Sequence, residues 1–198
     1  MLKKMANDLK ADFWGTLLRW QSLRPVWFLG GGAALFLEIF SWAFFQRYLG
    51  LQPCELCVYI RFSMLAVFCG AMFAAISPRR PLFRLGGYFV TVWAVIQGFI
   101  WDLRLEIINL RSLDDSPGVC AMATADFPFG LPLDRWLPSH FRPLALCGED
   151  GWSLFGLNMA EWLFFIYGLF ALGLGLMLLS WLIGRGRAGN QPPELPAA

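Results

Sequence analysis

The sequence predicts an all-α membrane protein, a transmembrane four-helix bundle with two outward-facing loops that carry cysteines. Three observations lead there. Of 198 residues, 58% are hydrophobic and 15% are charged, whereas a soluble domain carries about 25% charged residues. Four apolar windows, 25–46, 58–78, 85–101 and 162–184, each reach the length of about 20 residues needed to cross about 30 Å of hydrocarbon. None shows the two-residue alternation of a barrel strand, and in lipid only helices or closed barrels satisfy every backbone group. The 16 Lys+Arg balance 14 Asp+Glu, which excludes a nucleic-acid surface held by phosphate contacts. Ten Trp and 19 Phe match the aromatic belts of bilayer interfaces.

Residues 1–24 precede the first span. There Leu9, Phe13, Leu17 and Trp20 recur at helical spacing beside Asp8, Lys10, Asp12 and Arg19. That pattern suits a helix lying on the membrane surface, and a simple packing helix equally well. Span one is interrupted only by Glu38, and it lacks the small-residue cleavage site of a secretory leader, so it reads as a retained span. The four spans and their loops form one domain over 25–184. The tail 185–198, with Pro192, Pro193 and Pro196, reads as unstructured.

Basic residues near span ends set orientation. Lys3, Lys4, Lys10, Arg19, Arg24, Arg79, Arg80, Arg84, Arg185 and Arg187 all fall on one side, ten of the 16. Both termini are therefore expected in the cytoplasm, with loops of about 46–57 and 102–161 facing outward. Cys54, Cys57, Cys120 and Cys147 lie in those outer loops and Cys69 lies inside span two. An outward compartment permits disulfides, so orientation and cysteine placement agree.

Cys54-Glu55-Leu56-Cys57 follows Pro53 at the start of span two, and proline favours the first turn of a helix. A helix N-terminus stabilises a thiolate through its dipole and unpaired N–H groups. Residues three apart on a helix are neighbours, so a small adjustment permits a strained, redox-labile disulfide. Zinc is the rival for a Cys-x-x-Cys, but it needs further ligands, and the chain has one histidine, His140. Metal is not expected. Cys120 and Cys147 bracket Phe127-Pro128-Phe129-Gly130-Leu131-Pro132-Leu133-Asp134-Arg135-Trp136-Leu137-Pro138, which suits a loop resting on the membrane. Spacing alone serves a structural staple worth about 3 kcal/mol and an exchange partner for Cys54 equally well. Cys69 lies twelve residues beyond Cys57, about 18 Å deeper along the helix, and reads as a buried, inert side chain.

Arg61 stands four residues after Cys57, on the same helix face. An arginine within a span costs about 2.5–3.5 kcal/mol on insertion scales, so it calls for a partner or a function. Its charge suits a thiolate at Cys57 or a reduced, anionic electron acceptor; snorkelling to the headgroups is the alternative. Glu38 reads as a bundle-facing group with a polar partner, with a proton-relay role also open. Gln46 ends span one with an amide able to reach a carbonyl. Gly30, Gly31, Gly32, Ala171 and Gly175 suit close helix packing.

These residues resemble the DsbB-type disulfide-bond-forming membrane proteins, a family that includes the DsbI paralogues. The resemblance covers most of the chain. It is carried by Gln52-Pro53-Cys54-Glu55-Leu56-Cys57-Val58-Tyr59-Ile60-Arg61, by Leu131-Pro132-Leu133-Asp134-Arg135-Trp136-Leu137-Pro138, and by Cys147-Gly148-Glu149 followed by Trp152, Gly156 and Glu161-Trp162. It implies a thiol oxidase of the bacterial inner membrane. Two redox disulfides, Cys54–Cys57 and Cys120–Cys147, would pass electrons from a DsbA-like, thioredoxin-fold periplasmic oxidant to ubiquinone or menaquinone. In that scheme Cys120 receives the partner, Cys147 exchanges with Cys54, and Cys57 lies next to the quinone with Arg61 and Gln46 beside it. A DsbA-like oxidant sits near about −120 mV, so structural disulfides below about −300 mV cannot reoxidise it and a sink outside thiol chemistry is required.

The sequence departs from the family pattern at Trp101-Asp102-Leu103-Arg104-Leu105-Glu106, where some members carry a histidine. A DsbI-type paralogue with one dedicated partner is thus an alternative. A non-enzymatic scaffold stapled by two disulfides is another. The vitamin K epoxide reductase-like group ranks lower, because its Cys-x-x-Cys falls late in the bundle.

Overall fold

A computed structural model describes residues 13–112, 125–147 and 152–189, with 111–112 and 185–189 as backbone alone. Four helices have the length and composition to cross a membrane. Helix α1 spans Phe13–Trp20 and α2 spans Arg24–Phe40, continued by a π-helical stretch over Ser41–Tyr48. Helix α3 spans Glu55–Ile76 and α4 spans Pro81–Ser112. Two short helices follow in the long loop before the last span, α5 over Leu133–Trp136 and α6 over Pro138–Phe141. A small antiparallel hairpin pairs β1 (Ser153–Leu154) with β2 (Leu157–Asn158), and α7 spans Met159–Gly189.

The helices begin where the sequence supplies starts. Pro25 occupies the first turn of α2, where its missing N–H costs nothing. Cys54 is the N-cap of α3, and its Sγ accepts the Cys57 N–H at 3.2 Å. Pro53 therefore lies one residue before the cap and not within the first turn. Helix α4 runs about ten residues past the predicted end of span three, so Asp102, Arg104 and Glu106 are helical. Helix α7 continues to Gly189, five residues into the predicted tail; 190–198 lie outside the described residues.

Helix α3 is the central element. Of its span window, 61% is buried, against 17% for α2 and 11% for α7, so the outer helices present apolar faces to lipid. Contact between α3 and α4 depends on small residues. A Cβ on Gly87 would meet the Gly70 carbonyl at 2.7 Å, and one on Gly70 would meet Thr91 Oγ1 at 2.5 Å, the small-residue logic of membrane helix packing. Gly98 lies against the Tyr167 ring and Ser63. The sequence pointed to other glycines. Gly31 does pack, against Ala71 and Met72, whereas Gly30, Gly32 and Gly175 have open space around them. Cys69 is exposed on the bundle surface, which corrects its reading as buried.

Helix α1 packs on the far end of α7. Gln21 donates through Nε2 to the Met177 carbonyl and to Ser180 Oγ, and Leu18 fills the space above Gly184. Arg24 donates to the Ile76 carbonyl, closing the end of the bundle opposite the Cys-x-x-Cys.

Candidate functional site

The Cys-x-x-Cys end of the bundle is an aromatic platform. Tyr59, Phe62, Trp101, Phe127 and Phe141 contact one another with ring centroids 5.3–6.4 Å apart. Such pairs add about 0.5–1.5 kcal/mol beyond their burial. The Tyr59 hydroxyl donates to Glu55 Oε1 at 3.0 Å and accepts the Asp126 N–H at 2.9 Å. The segment at 125–127 is thereby seated on α3.

A second anchor joins the cysteine segments. The N–H groups of Leu144 and Ala145 both donate to the Pro53 carbonyl, at 2.9 and 3.3 Å. Pro53 precedes Cys54, and Ala145 is two residues before Cys147. Cys54 and Cys147 share one buried cluster, at 0% and 3% exposure. Cys147 is disulfide-bonded, while Cys54 and Cys57 are not bridged to each other. Cys120 lies outside the described residues.

Cys57 occupies a different environment, lining a cavity of about 240 Å³ between α2, α3 and α7. The other walls include Phe45, Met64, Trp162 and Leu163, with Glu38 and Arg61 as the charged groups. The two cysteines of the motif thus sit in different neighbourhoods: Cys54 follows the Pro53 carbonyl that anchors Leu144 and Ala145, and Cys57 lines the cavity. The N-cap contact favours negative charge on the Cys54 sulfur, because the orphan N–H groups of the first turn have no intrahelical acceptor.

Arg61 is buried and partnered. Its Nη1 donates to Gln46 Oε1 at 2.8 Å and to the His140 carbonyl at 3.0 Å. This is a partnered arginine, not one snorkelling to the headgroups. Gln46 in turn donates through Nε2 to the Ser139 carbonyl at 2.9 Å. Gln46 thus holds Arg61 and the α6 backbone, and it is not among the residues that line the cavity. The π-helical stretch carries Gln46 to that position, and such stretches cluster at functional sites.

Sequence reasoning missed one contact at this site. His140 Nε2 lies 2.7 Å from Glu38 Oε1, across 102 positions of chain. The available signals were a lone acid inside a span and the single histidine directly after the Leu131–Pro138 motif. The hairpin was also missed: Phe155 and Gly156 form its turn with φ of 54° and 80°, and Gly156 alone tolerates that region freely. The hairpin sets Trp152 against Phe45, with ring centroids 4.8 Å apart, at the cavity wall. No group of three or more potential metal ligands occurs among the described residues.

The family whose description is "Disulfide bond formation protein DsbB" matches residues 23–177. The chain belongs to the DsbB family. It is similar to a putative protein-disulfide oxidoreductase DsbI of Shewanella oneidensis, 36% identical over 193 residues that cover 91% of each chain. It is 40% identical over 154 residues to the protein-disulfide oxidoreductase DsbI of Lelliottia amnigena, covering 75% of this chain and 70% of that one. Disulfide bond formation protein B of Haemophilus influenzae is 35% identical over 167 residues, 84% of this chain and 92% of that one. Relatives of both DsbB and DsbI type therefore span most of the molecule. The four apolar helices and this membership make it a multi-pass membrane protein.

Proposed function

We propose that this DsbB-family oxidoreductase takes electrons from a reduced, DsbA-like periplasmic dithiol protein and delivers them to a membrane quinone in the cavity beside Cys57. The observation that supports it is the division of the Cys-x-x-Cys motif: the Pro53 carbonyl, just before Cys54, accepts from the N–H groups of Leu144 and Ala145, close in the chain to Cys147, while Cys57 opens onto an apolar cavity next to Arg61. The two-electron route runs from partner thiols to the Cys120–Cys147 disulfide, then to Cys54–Cys57, then to the quinone. Each transfer before the last is thiolate attack on a disulfide sulfur, which breaks one S–S bond and forms another. Bound in the cavity, a quinone supplies a two-electron acceptor outside thiol chemistry.

The chain's own groups each have a part. The helix N-terminus holds charge at Cys54, and Arg61, fixed by Gln46 and the His140 carbonyl, holds positive charge beside the cavity. The apolar walls exclude water. Ubiquinone and menaquinone both fit this scheme. The site residues are Cys54, Cys57, Cys120 and Cys147, with Arg61 at the acceptor and Gln46 as its support. The location is the inner membrane with both termini cytoplasmic, residues 1–24 and 185–198 flanking the bundle on that side.

The test is anaerobic quinone reduction by purified protein supplied with a reduced DsbA-like protein. Wild type is expected to reduce quinone, and Cys57→Ser and Cys120→Ser to abolish partner-dependent reduction. Absence of reduction by wild type, with ubiquinone and menaquinone and several partners, would leave the disulfides structural, as in a scaffold.

A further inference from the structure

We propose that His140 and Glu38 form a proton-transfer pair that carries protons from the outer surface to the reduced acceptor in the cavity. The inference rests on the quinone-oxidase reading above and deepens it. Its geometric basis is a polar path through an apolar wall. Glu38 lines the cavity with its side chain 6% exposed, and its Oε1 meets His140 Nε2 at 2.7 Å. His140 is 23% exposed and sits on α6, in the outer loop. One end of the pair thus reaches the surface of the loop and the other lines the cavity. The surroundings hold both groups in place: Arg61 fixes the His140 carbonyl, and Trp42 and Phe141 flank the imidazole at centroid distances of 5.9 and 5.2 Å.

The chemistry of the proposed reaction requires such a route. Oxidation of the Cys54–Cys57 dithiol to its disulfide releases two electrons and two protons, and a quinone takes up two of each to become a hydroquinone. Electrons reach the cavity through sulfur. The thiol protons are lost to water as thiolates form in the exchange steps, so the acceptor must be protonated from elsewhere. A carboxylic acid at the cavity wall can donate its proton to an acceptor oxygen. The imidazole, protonated from outside water, then reloads the carboxylate, and two such cycles complete the hydroquinone. A buried carboxylate in a span is costly unless it has a partner or a function, and the group it meets is an imidazole, a side chain able to take up and release a proton. The titratable and charged groups facing Glu38 are His140 from α6, Arg61 and Cys57 from α3 and Tyr167 from α7.

The experiment uses the full-length protein in lipid nanodiscs with a reduced DsbA-like protein and a short-tailed ubiquinone, comparing wild type, Glu38→Gln and His140→Ala. Both variants are expected to slow hydroquinone formation by about 100-fold, the lower part of the range for a placed proton donor. Added imidazole is expected to restore His140→Ala and not Glu38→Gln. Wild-type turnover is expected to slow in D2O. Stoichiometric oxidation of the partner without quinone, measured in the same samples, reports whether the cysteine relay is assembled. Variants that turn over at the wild-type rate would overturn the proposal. So would a slow His140→Ala that imidazole does not restore, or loss of the quinone-free exchange in both variants, either of which marks the pair as structural. A wild type that forms no hydroquinone fails the oxidase reading itself, a result visible before any variant is compared.

Discussion

Arg61 offers the sharpest quantitative test of the acceptor site. Its Nη1 makes hydrogen bonds of 2.8 and 3.0 Å to Gln46 Oε1 and the His140 carbonyl, and its charge lies four residues along α3 from Cys57. Residues at that spacing have Cβ atoms about 5–6 Å apart. A unit charge interacting with another at about 6 Å and an effective dielectric of about 20 gives about 3 kcal/mol. A group that supports developing negative charge to that extent accounts for about 100-fold in rate. Arg61→Met keeps much of the side-chain volume while removing the charge and both donors. Steady-state quinone reduction is then expected to fall about 100-fold in kcat/KM for quinone, while quinone-free oxidation of the partner continues. Arg61→Lys, which keeps the charge as a point and loses the planar fork, is expected to fall between the two. Wild-type kcat/KM in Arg61→Met would refute the electrostatic role and leave Arg61 as a structural tether.

Other expectations concern support and packing. Gln46→Leu removes one of the two acceptors of Arg61 Nη1 and the donor to Ser139 O; a loss of about 1 kcal/mol is expected from the bond to the buried guanidinium, seen as faster hydrogen exchange in Pro138–Phe141 and weaker quinone binding. Gly98→Leu drives a side chain into Tyr167 and Ser63 and should cost about 1–3 kcal/mol or more from overpacking, whereas Gly30→Ala, with open space around it, should melt with wild type in thermal unfolding in detergent. Cys69→Ala is expected to leave turnover unchanged, because that thiol is exposed on the bundle surface, about 18 Å along α3 from Cys57.

Much of this site is legible in the chain because its signals are local. Cys54 and Cys57 are marked by spacing and by the helix start, and Arg61 by its four-residue offset on the same helix. Four spans follow from apolar length alone. What the sequence hid depends on distant contacts. The Glu38–His140 pair spans 102 positions, and no periodicity connects a lone acid in one helix with a histidine in an outer loop. The role of Gln46 was hidden too: its amide holds Arg61 and the Ser139 carbonyl, and it is not among the residues that line the cavity. Helix-packing glycines were misjudged for a related reason. Gly30 and Gly32 stand in a conspicuous run, yet α2 is peripheral, and the glycines that matter lie where α3 and α4 approach, at Gly70 and Gly87. The extension of α4 past Trp101 was missed because charged residues there read as loop, although a helix leaving the membrane takes polar residues readily.

The central claim is that electrons leave through a quinone in the cavity beside Cys57, and filling that cavity tests it without touching a cysteine. Leu163 lines the wall opposite Arg61's helix, and Leu163→Trp adds bulk there. In an anaerobic single-turnover experiment with reduced DsbA-like protein and ubiquinone, wild type is expected to form one hydroquinone for each partner dithiol oxidised. The filled variant is expected to oxidise at most two equivalents of partner, one for each of its two disulfides, and to form no hydroquinone. Hydroquinone formation at the wild-type rate in Leu163→Trp would contradict the account.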